Sequence, residues 1–270
     1  METQHIVIIV PTLDSFSILS KFVNSLVSQS YSNWSVLFVD GHSSLEHRKF
    51  LDFISVWDTR FSWILQGKEY LGIFGAMNHG FNSADQNDWI LFWGSDDWAP
   101  QVSVFHEVIS AIATSSQADF VPDLVVCRGS YFNSRGNLVR STAFNFCRDT
   151  SRNISSRLFR RALFLGMTPP HQATLIGPGA RARLARYADG FRLSADLDYF
   201  LQLSRFPDLR VQVLDLELVH MSSGGISGQQ TQRRLQEVRH AYQRAFGWLW
   251  WFPFIARYVR RLFSLLDARR

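Results

Sequence analysis

Two acidic clusters hold the chemistry open to this chain: Ser95-Asp96-Asp97 and, far downstream, Asp196-Leu197-Asp198. Adjacent carboxylates have a use if a divalent cation bridges them to the phosphates of a ligand, because hard oxygen donors suit Mg²⁺ or Mn²⁺. An isolated Ser-Asp-Asp also forms turns and caps helices, so its setting has to decide. In the second cluster Ser194 is a fitting N-cap, and Leu197, Phe200 and Leu201 form an apolar stripe, which puts both acids in the first turns of a helix. Acids there commonly complement the helix dipole. Being two residues apart they point away from each other, so they cannot both serve one site. A third acid, Asp40, closes an apolar run ahead of Gly41, where it can accept hydrogen bonds from a base or ribose, or hold an Asp-Gly turn.

The elements that position these acids follow from the apolar pattern. Trp89 to Trp93 lacks alternation and suits a central parallel strand covered on both faces, which leaves Asp96 and Asp97 at its carboxyl end, where open α/β sheets bind ligands. His5 to Val10 is a second such run. A helix spaced on Phe16, Leu19, Phe22, Val23, Leu26 and Val27, with Asp14 or Ser15 as N-cap, links it to a strand over Trp34 to Val39, giving a right-handed βαβ unit. The pattern then predicts a helix over Leu45 to Trp57, a strand over Phe61 to Leu65 and a glycine-punctuated helix through Ile73, Met77 and Phe81. Neither G-x-G-x-x-G nor a Walker A pattern occurs, although glycines still allow close backbone approach to a diphosphate. Further on, a strand is expected over Phe120 to Arg128, a hairpin over Tyr131 to Val139, a helix or loop covering the active face over Thr150 to Met167, and an edge or antiparallel strand over Val211 to Leu218.

Composition narrows the class. A chain of 270 residues, 46% hydrophobic, buries a large core, and its formal net charge of +5 with pI near 9.5 favours phosphate-rich partners or an anionic membrane surface. Nucleic acid is the weaker fit, because the aromatics lie in apolar runs rather than interleaved with a basic stripe. Cys127 and Cys147 make neither a CxxC pair nor a disulfide framework, which points to a reducing compartment without structural zinc. The N-terminal apolar run is too short for a signal peptide, and no segment approaches the roughly 20 apolar residues of a spanning helix, so a cytoplasmic location is expected.

The order PTLD after the first strand, VDGHSS after the second, LGIFGAMNHGFNSA, and then WILFWGSDD resembles the inverting family 2 glycosyltransferases of the GT-A fold, especially bacterial enzymes of exopolysaccharide and O-antigen assembly. The likeness runs over roughly residues 5 to 225. It implies a Rossmann-like α/β domain with a mostly parallel central sheet over residues 1–228, a nucleotide-diphospho-sugar donor, a divalent cation (Mn²⁺ or Mg²⁺), and a saccharide or polyprenyl-diphosphate-linked acceptor. Carried over by motif, Pro11, Thr12, Asp14, Asp40 and Asn78 hold the donor, Asp97 binds the cation and Asp96 orients the donor beside it. Thr168-Pro169-Pro170-His171-Gln172 resembles the acceptor-side HQ segment. Asp196 matches the catalytic base, and His220, in a donor-covering loop over Val219 to Ser227, is an extra metal ligand. The chain departs from the family pattern in VDGHSS, which keeps Asp40 alone, at Phe74-Gly75, where Tyr-Asp is usual, and at Ala195, where Glu is usual.

Residues 229–270 read as a helical appendage. An amphipathic helix over Gln229 to Phe246 precedes a crowd of aromatics, and a second helix carries Ile255, Tyr258, Val259, Leu262, Phe263 and Leu266 on one face and Arg257, Arg260 and Arg261 on the other. Such a helix suits a membrane interface, placing the protein peripherally at the inner face of the plasma membrane. The departures from the motifs motivate one alternative, a non-catalytic nucleotide-sugar-binding or membrane scaffold protein of the same fold.

Overall fold

A computed structural model describes residues 4–144, 152–223 and 230–267, with side chains to Arg260 and at Leu262. The first half is a repeated strand and helix alternation: β1 (Ile6–Thr12), α1 (Leu19–Val27), β2 (Trp34–Asp40), α2 (Leu45–Trp57), β3 (Phe61–Leu65), α3 (Gly72–Ser83), β4 (Trp89–Phe92) and α4 (Val104–Gln117). The second half mixes directions: β5 (Leu124–Phe132), β6 (Leu138–Thr142), β7 (Arg152–Ser155), α5 (Ser156–Phe164), β8 (Thr174–Ile176), α6 (Pro178–Arg183), α7 (Ala195–Leu203), β9 (Arg210–Ser222), α8 (Thr231–Phe246) and α9 (Trp251–Asp267).

One sheet runs in the order β3-β2-β1-β4-β8-β5-β9-β7, with β6 added on β5. Strands β3, β2, β1 and β4 are parallel, β8 is antiparallel to both its neighbours, and β9 runs parallel to β5. The apolar runs are continuous because both faces are covered. Val7, Ile9, Ile90 and Phe92 point into a core shared with α3, α5, α7 and α8, while Ile6, Ile8, Val10, Leu91 and Trp93 point into one shared with α1 and α4. Gly80 lets α3 lie directly on β1, since a Cβ there would stand 2.3 Å from Ile9.

Several expectations need correction. Neither Asp14 nor Ser15 caps α1, which starts at Leu19; Asp14 adopts φ 47° and serves the next helix instead. The strand expected from Phe120 begins at Leu124 and continues to Phe132, because Asp119 turns the chain at φ 58° just before it. Strand β9 is not an edge: it lies between β5 and β7, and only its β7 side is antiparallel. The stretch expected to cover the active face supplies β7 and α5, which buries Phe159, Ala162 and Leu163 in the main core; Thr150 lies outside the described residues. Cys127 is buried and free, and Cys147 lies outside the described residues.

Helix α8 belongs to the body of the molecule, burying Val238, Ala241 and Tyr242 against α7. Helix α9 lies against the end of α5. Phe252 stacks on Phe164 at 5.0 Å, Arg257 donates to Thr168 Oγ1, and Arg260 Nε donates to the Leu165 carbonyl at 2.9 Å. Gly166, at φ 80°, makes the contact possible, since a Cβ there would fall 2.4 Å from the Arg257 nitrogen. None of the described helices is long and apolar enough to cross a membrane.

Candidate active site

The loops after β1 and β2 are laced together at the carboxyl edge of the sheet. The Thr12 hydroxyl lies 2.6 Å from Ser15 Oγ, 3.1 Å from His47 Nε2 and 3.3 Å from Ser95 Oγ. The Asp14 N–H donates to Ser43 Oγ at 2.9 Å, and its carboxylate accepts the Ser44 N–H at 2.8 Å. That bond, with the Ser44 side chain, holds the Asp14 carboxyl below its ordinary pKa, an anion placed at the α2 N-terminus. Pro11 is half-buried beside them. Asp40 is fully buried: both its oxygens accept the Ser43 N–H at 3.2 Å, with Arg48 Nε at 3.6 Å and His47 Nε2 at 4.0 Å. Burial lowers the pKa of His47 against the pull of Asp40, so the imidazole is neutral at pH 7, and its Nδ1 is buried without a hydrogen-bond partner.

The acidic loop after β4 turns back on itself. The Gly94 N–H donates to Asp97 Oδ2 at 2.6 Å, and the Asp97 N–H returns to the Gly94 carbonyl at 3.2 Å. Asp97 is 3% exposed. Burial drives its pKa well above the ordinary carboxylate range, the Asp96 charge adds to this, and the Gly94 N–H opposes it; burial raises Asp96 as well. Among the described residues neither acid is paired with an Arg or Lys. Two crowded carboxylates lacking a counter-charge fit a divalent cation. Mg²⁺-like ions complete their shells with phosphate and water oxygens, so the lack of a three-residue ligand cluster among the described residues is consistent with that fit.

His220 does not join the pair. Its Nε2 faces Glu217 at 3.5 Å, and its ring packs 4.4 Å from Phe132 and 5.6 Å from Trp98. Its backbone does reach the loop: Trp98 and His220 exchange N–H···O bonds of 2.9 and 2.8 Å, and Ser222 Oγ donates to the Asp96 carbonyl at 3.3 Å. The end of β9 thus pins the acidic loop. Gly224 to Ser227 of the expected donor-covering loop lie outside the described residues.

At α7 the expected Ser194 side-chain cap is absent. The Glu237 carboxylate of α8 instead holds the segment just ahead of the helix, accepting the N–H groups of Arg192 at 3.0 Å, Leu193 at 2.8 Å and Ser194 at 3.0 Å. The two acids of the helix diverge. Asp198 is buried in an ion pair with Arg244 and a 3.2 Å bond from Gln202 Nε2; burial raises its pKa and Arg244 opposes the rise. Asp196 is half-buried, and its charge is felt by three rings, Tyr131, His171 and Tyr187. His171 Nε2 lies 2.6 Å from the Tyr187 hydroxyl, with its ring stacked on Phe92 at 5.4 Å. Burial lowers its pKa, with Asp196 opposing. Beside it, the half-buried Gln172 accepts Trp93 Nε1 on its backbone carbonyl at 2.8 Å. Burial raises the Tyr131 phenol; the Arg140 guanidinium over its ring opposes the rise, and the charges of Asp97 and Asp196 add to it.

The donor-binding role expected of Asn78 meets a different geometry. Its Oδ1 accepts the Tyr187 N–H at 2.8 Å and its Nδ2 donates to the Tyr187 carbonyl at 3.1 Å, so both polar ends latch α3 to the segment before α7. Gly75 has a steric reason, because a Cβ there would stand 2.4 Å from the Tyr70 carbonyl carbon. Sequence reasoning missed His47, Tyr131, Tyr187 and Glu237. Glu237 alone carried a signal, as the single acid on a helix otherwise charged by arginines.

The chain matches the family model described as Glycosyl transferase family 2 over residues 7–166. It is 25% identical over 223 residues to the PGL/p-HBAD biosynthesis glycosyltransferases of Mycobacterium bovis and Mycobacterium tuberculosis, covering 82% of this chain and 78% of each of those proteins. Among solved structures it superposes on TarS of S. aureus with TM-score 0.64 at 14% identity, over 90% of this chain but only 40% of TarS. It also superposes on the TarS 1-349 complex with UDP-GlcNAc at TM-score 0.63, and on the mannosyltransferase PcManGT of Pyrobaculum calidifontis, in complex with GDP-Man and Mn²⁺, at 0.58. Both superpositions are at 15% identity; the first covers 90% of this chain and 68% of its counterpart, the second 89% and 64%. The mostly parallel sheet is that of the GT-A glycosyltransferases.

Proposed function

Because this chain belongs to glycosyl transferase family 2, we propose that it moves a sugar from a nucleotide-diphospho-sugar to an acceptor hydroxyl by single displacement, with inversion at the anomeric carbon. The acceptor is a saccharide or polyprenyl-diphosphate-linked sugar. The observation that carries the reading is Asp97, buried without an Arg or Lys partner among the described residues at the carboxyl end of β4, together with the half-buried Asp196 in the first turn of α7, since a displacement needs charge neutralised on the leaving side and a proton removed on the attacking side.

Asp196 is the base. It is half-buried in the first turn of α7, where an acceptor hydroxyl can donate to it, and Glu237 fixes the segment that leads into that turn. His171, neutral and held by Tyr187, orients the acceptor from the same side. On the donor side, Asp97 and Asp96 would hold a Mn²⁺ or Mg²⁺ ion, which supplies Lewis-acid stabilisation of the departing diphosphate. Thr12, Asp14 and Asp40 frame the nucleotide end of the cleft. The binding of UDP-GlcNAc by TarS 1-349 and of GDP-Man with Mn²⁺ by PcManGT supports a nucleotide-sugar donor and a metal for a fold of this kind.

The test is calorimetric titration of nucleoside diphosphates and nucleotide sugars in the presence of Mn²⁺ or Mg²⁺ and then chelator, followed by NMR of the product's anomeric configuration. We expect binding that chelator and Asp97→Asn both abolish. Asp196→Asn should keep donor binding and lose turnover by about a thousandfold or more. No binding across the panel would favour the non-catalytic scaffold, and retained turnover in Asp196→Asn would remove the base assignment.

A further inference from the structure

Helix α9 is seated with its apolar face outward. Ile255 is 53% exposed, Val259 44% and Leu262 60%, and Trp251 and Trp248, just ahead of them, are 47% and 79% exposed. At 100° per residue, positions 251, 255, 259 and 262 fall within one stripe less than a third of the helix circumference wide. The opposite side is occupied: Pro253 is buried, Arg257 bonds Thr168, Arg260 bonds the Leu165 carbonyl, and Gly166 leaves room for the helix backbone. A helix packed for stability alone would turn these sides the other way. An aliphatic stripe led by two tryptophans is an unusual amount of apolar surface to leave in water.

Charge says what covers it. Residues 229–270 contain nine arginines and no lysine against Glu237 and Asp267, whereas residues 1–228 contain nineteen basic and twenty-one acidic side chains. The whole basic excess of the chain is therefore gathered in the segment that presents the apolar stripe. A second copy of the chain would bring two such arginine-rich segments together, which repels; an anionic lipid surface satisfies both the stripe and the charge. Aromatic side chains at one end of the stripe suit the headgroup level.

We propose that the outward face of Trp248 to Leu262 docks on an anionic lipid bilayer and holds the acceptor side of the site against it. The second half follows from the seating of α9: Arg257 bonds Thr168, three residues before His171. An acceptor carried on a lipid arrives beside the His171 imidazole, and to this extent the proposal deepens the transferase reading. Lipid docking itself does not depend on that reading.

The experiment is sedimentation of the full chain with vesicles of phosphatidylcholine alone and of phosphatidylcholine with phosphatidylglycerol, without donor or acceptor, alongside light scattering for oligomeric state. The wild type is expected to pellet with the anionic vesicles and much less with the neutral ones, an affinity that falls as salt rises. The triple variant Ile255→Glu, Val259→Glu, Leu262→Glu changes only exposed positions, so its melting temperature should hold while vesicle binding falls by about a hundredfold. Trp248→Ala with Trp251→Ala provides a second, uncharged test, with about a tenfold loss expected. The proposal is overturned if the wild type stays in the supernatant with both vesicle types, if the triple variant binds as well as the wild type, or if the wild type forms dimers that the triple variant loses. Donor binding by calorimetry, which needs no lipid, separates failure here from failure of the transferase reading.

Discussion

The carboxylate of Glu237 on α8 accepts the N–H of Ser194 at the start of α7, 3.0 Å away, along with those of Arg192 and Leu193. One side chain thereby fixes the chain leading into the helix that carries Asp196, whose own first-turn N–H groups receive no side-chain cap from Ser194. Removing it strands three N–H groups, one of them fully enclosed. Glu237→Ala should cost about 2–4 kcal/mol in urea unfolding, and turnover should drop about ten- to a hundredfold while donor affinity stays close to wild type. Glu237→Gln, which keeps an acceptor oxygen, should recover part of both. An equal loss of donor affinity and turnover would mean that Glu237 does no more than hold the fold.

Asp97 trades stability for its place. Its folded pKa is raised by burial, so the folded state favours the protonated acid: the stabilisation is fully present below the ordinary carboxylate pKa and is lost as pH rises through the raised value. Asp97→Asn keeps an oxygen for the Gly94 N–H and removes that loss. In chelator at neutral pH the variant should melt several degrees above wild type, with the gap narrowing toward about pH 4. Added Mn²⁺ should raise the melting temperature of the wild type and not of the variant. A variant less stable than wild type at neutral pH would contradict the account.

Gly75 should not tolerate the carboxylate usual in the resembling motif. With the Tyr70 carbonyl carbon 2.4 Å from where a Cβ would sit, both Gly75→Ala and Gly75→Asp should destabilise by about 1–3 kcal/mol, and Gly75→Asp should not raise turnover. Thermal melts alongside a turnover assay decide this. A gain of activity in Gly75→Asp would show that the segment around Tyr70 moves aside.

Two histidines, the buried His47 and the half-buried His171, give the fold an acid-sensitive side. His47 and His171 both have folded pKa values lowered by burial, so the unfolded chain binds more protons at mildly acidic pH. Their contribution is whole above about pH 6.5 and declines as pH falls below it. The melting temperature should therefore slope downward from about pH 7 to 5. His47→Gln should flatten part of that slope, at a cost of about 1 kcal/mol at neutral pH for its bond to Thr12. An unchanged slope would remove His47 as a source.

Much of this molecule is legible along the chain. Helix α2 spans Leu45–Trp57 and β3 spans Phe61–Leu65, the residues their periodicity marks, and the continuous runs in β1 and β4 announce a sheet covered on both faces. Apolar spacing is a local property, and burial enforces it residue by residue, so one sequence suffices to read it. Ordered motifs likewise carried the resemblance to family 2, because Asp40 ends its strand and Gly72 to Asn78 and Ser95 to Asp97 each follow theirs at short range. Tertiary structure decided which polar group meets which. Asn78 grips the Tyr187 backbone from 109 residues away, Glu237 holds the segment leading into α7, His220 turns to Glu217, and α9 faces Arg257 and Arg260 inward. A hydrogen bond or an ion pair depends on atoms a few ångströms apart in space whatever their separation in sequence, and no local spacing encodes that proximity.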